Sequence, residues 1–145
     1  MARWSDRRKL KLKQLNVYSA PTGQTITCNF HEWSNTQVEN EAVAIAQEKF
    51  KLELNKPLSA WSLIDGKVYS KAQQRWIPIE IKGEIFKDSS RQTKNKWVHI
   101  SNAQLQFLKR HQGLVWLVRF YKTDDYYQNQ CRWSLLSLSP VDMSD

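Results

Sequence analysis

The stretch "LVWLVRFYK", residues 114–122, is apolar at nearly every position and lacks any polar alternation. A strand of this kind has no wet face, so it belongs inside a sheet with both faces covered. The segment before it, "SNAQLQFLKRHQG", predicts a helix, with Ser101 and Gln104 at capping-box spacing and Gly113 at the C-terminal cap. A second helix is predicted in "SNTQVENEAVAIAQEKFKLEL". There Thr36 and Glu39 have capping-box spacing, Val38, Ala42, Ile45 and Ala46 recur at helical intervals, and Pro57 lies past the end. "LSAWSLIDGKVYS" and "RWIPIEIKGEIF" read as strands joined by "KAQQ", and "CRWSLLSLSP" as a last alternating strand ending at Pro140. "NVYSAPTGQTITCNF" reads as two short strands around a Pro-Thr-Gly turn. An interior strand following the second helix predicts an α/β fold, a mixed β-sheet flanked by helices.

A chain of 145 residues suffices for one domain, 1–145, with a real core. Its net charge of +8 favours a polyanionic partner, nucleic acid foremost. Residues 1–13 carry Arg3, Arg7, Arg8, Lys9, Lys11 and Lys13 against Asp6 alone, a basic N-terminal arm suited to phosphates or left as a solvated terminus. Lys87, Arg91, Lys94 and Lys96 stand in a polar loop suited to tracking a nucleic-acid backbone. Of the seven tryptophans, Trp116 reads as core, whereas Trp4 and Trp97, flanked by basic residues, suit either a core rim or base stacking.

Other classes are disfavoured. No apolar h-region follows the basic start, and "GLVWLVRFY" is broken by Arg119, so no membrane association is expected. Cys28 and Cys131 form no CxxC, and His31, His99 and His111 show no ligand spacing, which fits a reducing cytoplasmic setting without structural zinc. Four glycines, none in G-x-G spacing, give no nucleotide cofactor site, and no serine lies in a nucleophile elbow.

The remaining signal is the Glu-x-Lys of "IEIKG". If "KAQQ" is a hairpin loop closed by Ser70 and Arg75, Asp65 falls opposite Glu80, with Cβ atoms about 4.5–5.5 Å apart. Lys82 then lies on the same face about 7 Å further along the strand. Two carboxylates so close repel, and a divalent cation between them reverses the sign. Mg²⁺ accepts such hard oxygens, with the Ile81 carbonyl and water completing its shell. A competing reading makes Asp65-Gly66 a type I′ turn between "WSLI" and "KVYS". Asp65 is then remote from Glu80, and Glu80 and Lys82 become the solvated face of an edge strand marked by Pro78.

Asp65, 14 intervening residues, and then "EIK" at Glu80–Lys82 resembles the PD-(D/E)XK motif of restriction-endonuclease-like nucleases. The resemblance spans roughly residues 37–139, and "LIDG" stands where the family has a proline before its acid. It implies a restriction-endonuclease-like core and a metal-dependent endodeoxyribonuclease hydrolysing phosphodiester bonds, of restriction, recombination or homing type. It also implies Mg²⁺, with Mn²⁺ as a substitute, held by Asp65, Glu80 and the Ile81 carbonyl. Glu41, or else Glu39, would add an acid from the first helix. Lys82 would assist the attacking water, Gln104 would be an accessory catalytic residue, and the partners would be DNA and a second copy in a homodimer. The alternative is a non-catalytic basic nucleic-acid-binding protein using the basic arm with Arg7 and Arg8, the 87–96 loop and exposed tryptophans.

Overall fold

The computed structural model describes the main chain of residues 7–11, 16–19, 26–27, 33–86, 97–122 and 130–140, with side chains over 33–85, 99–121 and 132–140. In chain order the elements are β1 (Arg7–Lys11), β2 (Asn16–Ser19), β3 (Ile26–Thr27), α1 (Asn35–Phe50), β4 (Glu53–Leu54), β5 (Gly66–Ser70), β6 (Arg75–Phe86), β7 (Trp97–Ser101), α2 (Asn102–Arg110), β8 (Leu114–Lys122) and β9 (Gln130–Leu138). The fold is α/β. A seven-stranded sheet runs β2-β9-β8-β6-β5-β4, with β3 also on β9, and a separate ladder joins β1 to β7. Only β6 and β8 pair in parallel, which makes the sheet mixed. Among the described residues no helix is long and apolar enough to cross a membrane.

Alternation along the strands sorts the core into two layers. Val38, Ala42, Ile45 and Ala46 of α1 pack on Ile77, Ile79, Ile81, Val118, Phe120 and Leu135. Leu105 and Leu108 of α2 pack on Val115, Leu117, Leu136 and Leu138 from the other side. β8 is buried from Val115 to Phe120, as its apolar run requires, and Trp116 is a core residue whose Nε1 donates to Ser137 Oγ at 3.2 Å.

Several expectations need correcting. α1 is capped two residues earlier than the Thr36/Glu39 spacing suggested. Ser34 Oγ accepts from Gln37 N–H, and the Gln37 side chain returns the bond to Ser34 N–H. Residues 57–65 are turns, not strand, so β5 starts only at Gly66. β2 and β3 do not pair with each other. Both lie antiparallel to β9, Asn16 opposite Ser137 and Ile26 opposite Cys131, so they follow one another along a single edge. Arg7–Lys11, expected to be a free arm, is a strand paired with Ser101–Trp97. β6 is not an edge strand: it lies between β5 and β8 with Pro78 fully buried. The β6–β8 ladder begins at Ile79, one residue past the proline, so the missing N–H removes no bond to β8.

The end of α2 is tied to the β5–β6 hairpin. Gln112, not Gly113, takes the left-handed conformation with φ 52°, and Gly113 N–H donates to Leu108 O at 2.8 Å to close the last turn. Gly113 is needed for close approach instead. A Cβ there would lie 2.6 Å from Leu108 Cδ2 and 2.7 Å from the Pro78 carbonyl oxygen. Arg75 donates to the carbonyls of His111 and Gln112 at 3.2 and 3.0 Å, pinning the hairpin to the helix end. Gly113→Ala should therefore lower stability by about 1–3 kcal/mol, the usual scale of overpacking. Urea unfolding checks this, and an unchanged midpoint would contradict the packing account.

Candidate active site

β6 outruns its neighbour. Pairing with β5 ends at Gly66↔Ile79, while β6 continues to Phe86 along β8. From Glu80 onward, the flank of β6 that faces away from β8 has no strand partner among the described residues. Its main-chain donors still need acceptors. Asp65 Oδ2 accepts from Ile81 N–H at 2.7 Å, and Glu39 Oε1 accepts from Gly83 N–H at 3.2 Å. Residues two apart present these groups on the same flank, and a residue's N–H and C=O point the same way, so the Ile81 carbonyl faces this edge too.

The hairpin register delivers Asp65 here. Ser70↔Arg75 is the innermost ladder pair, the Lys71–Gln74 segment turns, and the next position beyond Gly66↔Ile79 sets Asp65 against Glu80. Asp65 is thus not a hairpin-turn residue. Asn55 holds the preceding turn, its Nδ2 donating to the carbonyls of Trp61 at 2.9 Å and Ile64 at 3.3 Å, while its N–H donates to Asp65 O.

Glu80 is the buried centre of the cluster, 4% exposed. Its Oε1 accepts from Asp65 N–H at 3.3 Å, and its Oε2 lies 3.3 Å from Lys82 Nζ. Burial, reinforced by the neighbouring Asp65 charge and opposed by Lys82, pushes its pKa up to about 8. Glu39 is also raised, by burial first, against the lowering effects of the Gly83 N–H and Lys82. Glu39 and Glu80 both therefore hold a proton more readily than an exposed glutamate does.

Glu39 reaches the cluster because α1 lies directly on Gly83. A Cβ at that position would be 2.9 Å from the Val38 carbonyl and 3.0 Å from Val38 Cγ1. Glu41 sits about 200° round the helix from Glu39, so it faces elsewhere. The acid that α1 brings to the site is Glu39, and the metal-ligand expectation for Glu41 is corrected accordingly.

Gln104 is occupied with structure. Its Oε1 accepts from Ser101 N–H at 3.4 Å and its Nε2 donates to Leu63 O at 3.1 Å, joining the α2 cap to the turn that leads into Asp65. Arg7 and Arg8 lie in β1 opposite Ser101 and Ile100, with side chains outside the described set. Lys87, Arg91, Lys94, Lys96 and Trp4 fall outside the described residues, as does the side chain of Trp97. A further pair went unpredicted: Arg119 Nε donates to Glu84 Oε1 at 2.5 Å across the β6–β8 ladder. Its signal was a lone charge inside an apolar strand, matched by the third same-face charge in "EIKGE".

Among the described residues no group of three His, Cys, Asp or Glu side chains is placed to hold a metal ion by itself. A cation here would rest on Asp65, Glu80, a main-chain carbonyl and water, an open donor set of hard oxygens. That set fits Mg²⁺, which keeps several waters, better than an ion needing a closed cage. No protein-family model, curated protein or solved structure matches the chain.

Proposed function

We propose that this protein is a Mg²⁺-dependent DNA endonuclease with a restriction-endonuclease-like core and a site resembling that of the PD-(D/E)XK class. The observation that carries the reading is the convergence of Asp65, buried Glu80 and Lys82 at the point where β6 loses its partner. A strand face kept only for solubility would not bury a glutamate against a second carboxylate. Asp65 and Glu80 are the metal-holding pair, with one Asp65 oxygen spent on Ile81 N–H. When bound, the divalent cation supplies a water acidified towards neutrality and polarises a phosphoryl oxygen. Lys82 holds its ammonium beside Glu80, where it can orient that water and offset charge gathering on the phosphate. Glu39 fixes Gly83 and adds negative charge to the cation's surroundings. The net charge of +8 supports a polyanionic substrate. With one such site among the described residues, cutting both strands of a duplex calls for two copies, as in a homodimer.

The test is nicking of supercoiled plasmid by the purified protein in Mg²⁺, in Mn²⁺ and in EDTA. Cleavage with either metal and none in EDTA is the expected result. Salt-sensitive DNA binding with no cleavage under any condition would instead make the chain a non-catalytic binder.

A further inference from the structure

The hairpin that delivers Asp65 also carries a second feature that the cleavage chemistry leaves unused. A pocket of about 450 Å³ is lined by Asn55, Ser59, Ala60, Trp61, Lys67 and Trp76. That volume lies within the range of small-molecule sites, roughly 300–1,000 Å³. Its two tryptophans are held in place by their neighbours. Trp61 meets Phe107 of α2 edge-on at 6.2 Å and His111 at 5.8 Å, and Asn55 holds its main chain. Trp76 meets Tyr69 edge-on at 5.5 Å, and Lys67 Nζ lies 4.6 Å from the centre of its ring. Yet Trp76 is 38% exposed and Tyr69 51% exposed, so costly apolar area is left facing water.

The ladder fixes where this pocket stands relative to the carboxylates. Lys67↔Pro78 and Tyr69↔Trp76 are opposed pairs, and alternation puts all four on the sheet face that carries Asp65 and Glu80. Trp76 precedes Glu80 by four residues on one strand, a separation of about 13 Å. A few nucleotides of an extended strand cover that distance. Rigid aromatic walls, exposed indole area and an ammonium at the rim together match one ligand class. Bases stack on exposed indoles irrespective of sequence, and a lysine beside them takes the adjoining phosphate.

We infer that the Trp61–Trp76–Lys67 pocket receives an unpaired nucleobase, so that the substrate is DNA with a single-stranded segment, a flap or a branch beside the cleaved bond. Lys67 leaves the Trp76 ring for the phosphate as the base stacks in its place. A fully paired duplex keeps its bases inside the helix and cannot fill the pocket. The inference rests on the nuclease reading for the identity of the polymer, but not for the stacking itself.

The test is binding of the full chain in EDTA, where cleavage is blocked, to a fluorescently labelled single strand and to the matching duplex. Trp76→Ala should weaken single-strand binding about tenfold, within the range that loss of one base–aromatic stack gives. It should leave duplex binding unchanged, and Trp76→Phe should restore most of the loss. As a check that needs no variant, a 2-aminopurine base in the single strand should be quenched on binding the wild-type protein. An absence of quenching, indifference of single-strand binding to Trp76→Ala, or equal loss for both DNA forms would each overturn the inference and leave the pocket to a protein partner. Cleavage in Mg²⁺ alongside such a result would keep the nuclease reading intact. Trp76-dependent single-strand binding without cleavage would do the reverse, and no DNA binding at all would remove both.

Discussion

Lys82→Ala should cut plasmid DNA about 10²–10³-fold more slowly than the wild type at saturating Mg²⁺, the usual cost of removing one group that stabilises transition-state charge. Two losses combine. The ammonium that orients water and faces the phosphate is gone, and Glu80 loses the cation that opposes its burial, so it binds its proton more tightly. The same proton protects the fold. A buried glutamate deprived of its partner would be costly as an anion, but Glu80 can become neutral, so the variant should unfold at a temperature close to the wild type's. Raising the pH should recover part of the rate by ionising Glu80 without restoring the ammonium. Lys82→Ala cleaving as fast as the wild type would take Lys82 out of the mechanism and the nuclease reading with it.

Glu80→Gln should abolish cleavage and yet stabilise the metal-free protein above neutral pH. The sign follows from linkage. Glu80 titrates at about 8 in the folded chain against a usual value of 4.5, so the folded state binds its proton more tightly than the unfolded state does. The stability this contributes is complete below pH 4.5 and is lost as the pH rises through 8. The displacement corresponds to on the order of 3–5 kcal/mol as an upper bound. Glutamine imitates the protonated acid and keeps an oxygen for Asp65 N–H, so it escapes that loss. In EDTA the variant should melt about 5–15 °C above the wild type at pH 8–9, with the gap closing towards pH 4.5. Saturating Mg²⁺ should then raise the melting temperature of the wild type and not of the variant, which reports metal binding without any cleavage assay. Parallel melting curves across the whole pH range would contradict the buried position assigned to Glu80.

The sequence made some of this legible and hid the rest for definite reasons. The Asp65–Glu80 juxtaposition was readable because a polar "KAQQ" between alternating segments fixes one hairpin register, and that register sets the opposing pairs. The competing Asp65-Gly66 turn failed because the turns run through 57–65 before Gly66 enters β5. The interior position of β8 was plain from its unbroken apolar run. Glu39 was obscured because two capping boxes overlap in "SNTQVE": Ser34 with Gln37, and Thr36 with Glu39. Only the sheet beneath shows which glutamate side chain is free to reach Gly83. β1 and the in-line placement of β2 and β3 are long-range pairings, and such pairings leave no local trace in a basic or turn-rich stretch. The Trp76 pocket was equally silent, since its walls come from β5, β6 and the 55–61 segment and meet only in three dimensions.

The flank of β6 that no described strand covers has a consequence for assembly as well. A row of open main-chain donors is a template on which another chain can add a strand, and proteins commonly guard such edges with charge. At Ile81 and Gly83 the guards are Asp65 and Glu39, seated on the N–H groups that an invading strand would need. On the proposed nuclease reading, the acids gathered around the metal site would also keep one molecule from zipping onto the next. A substrate phosphate would still fit that edge, because it asks for none of those donors, whereas a peptide backbone asks for all of them.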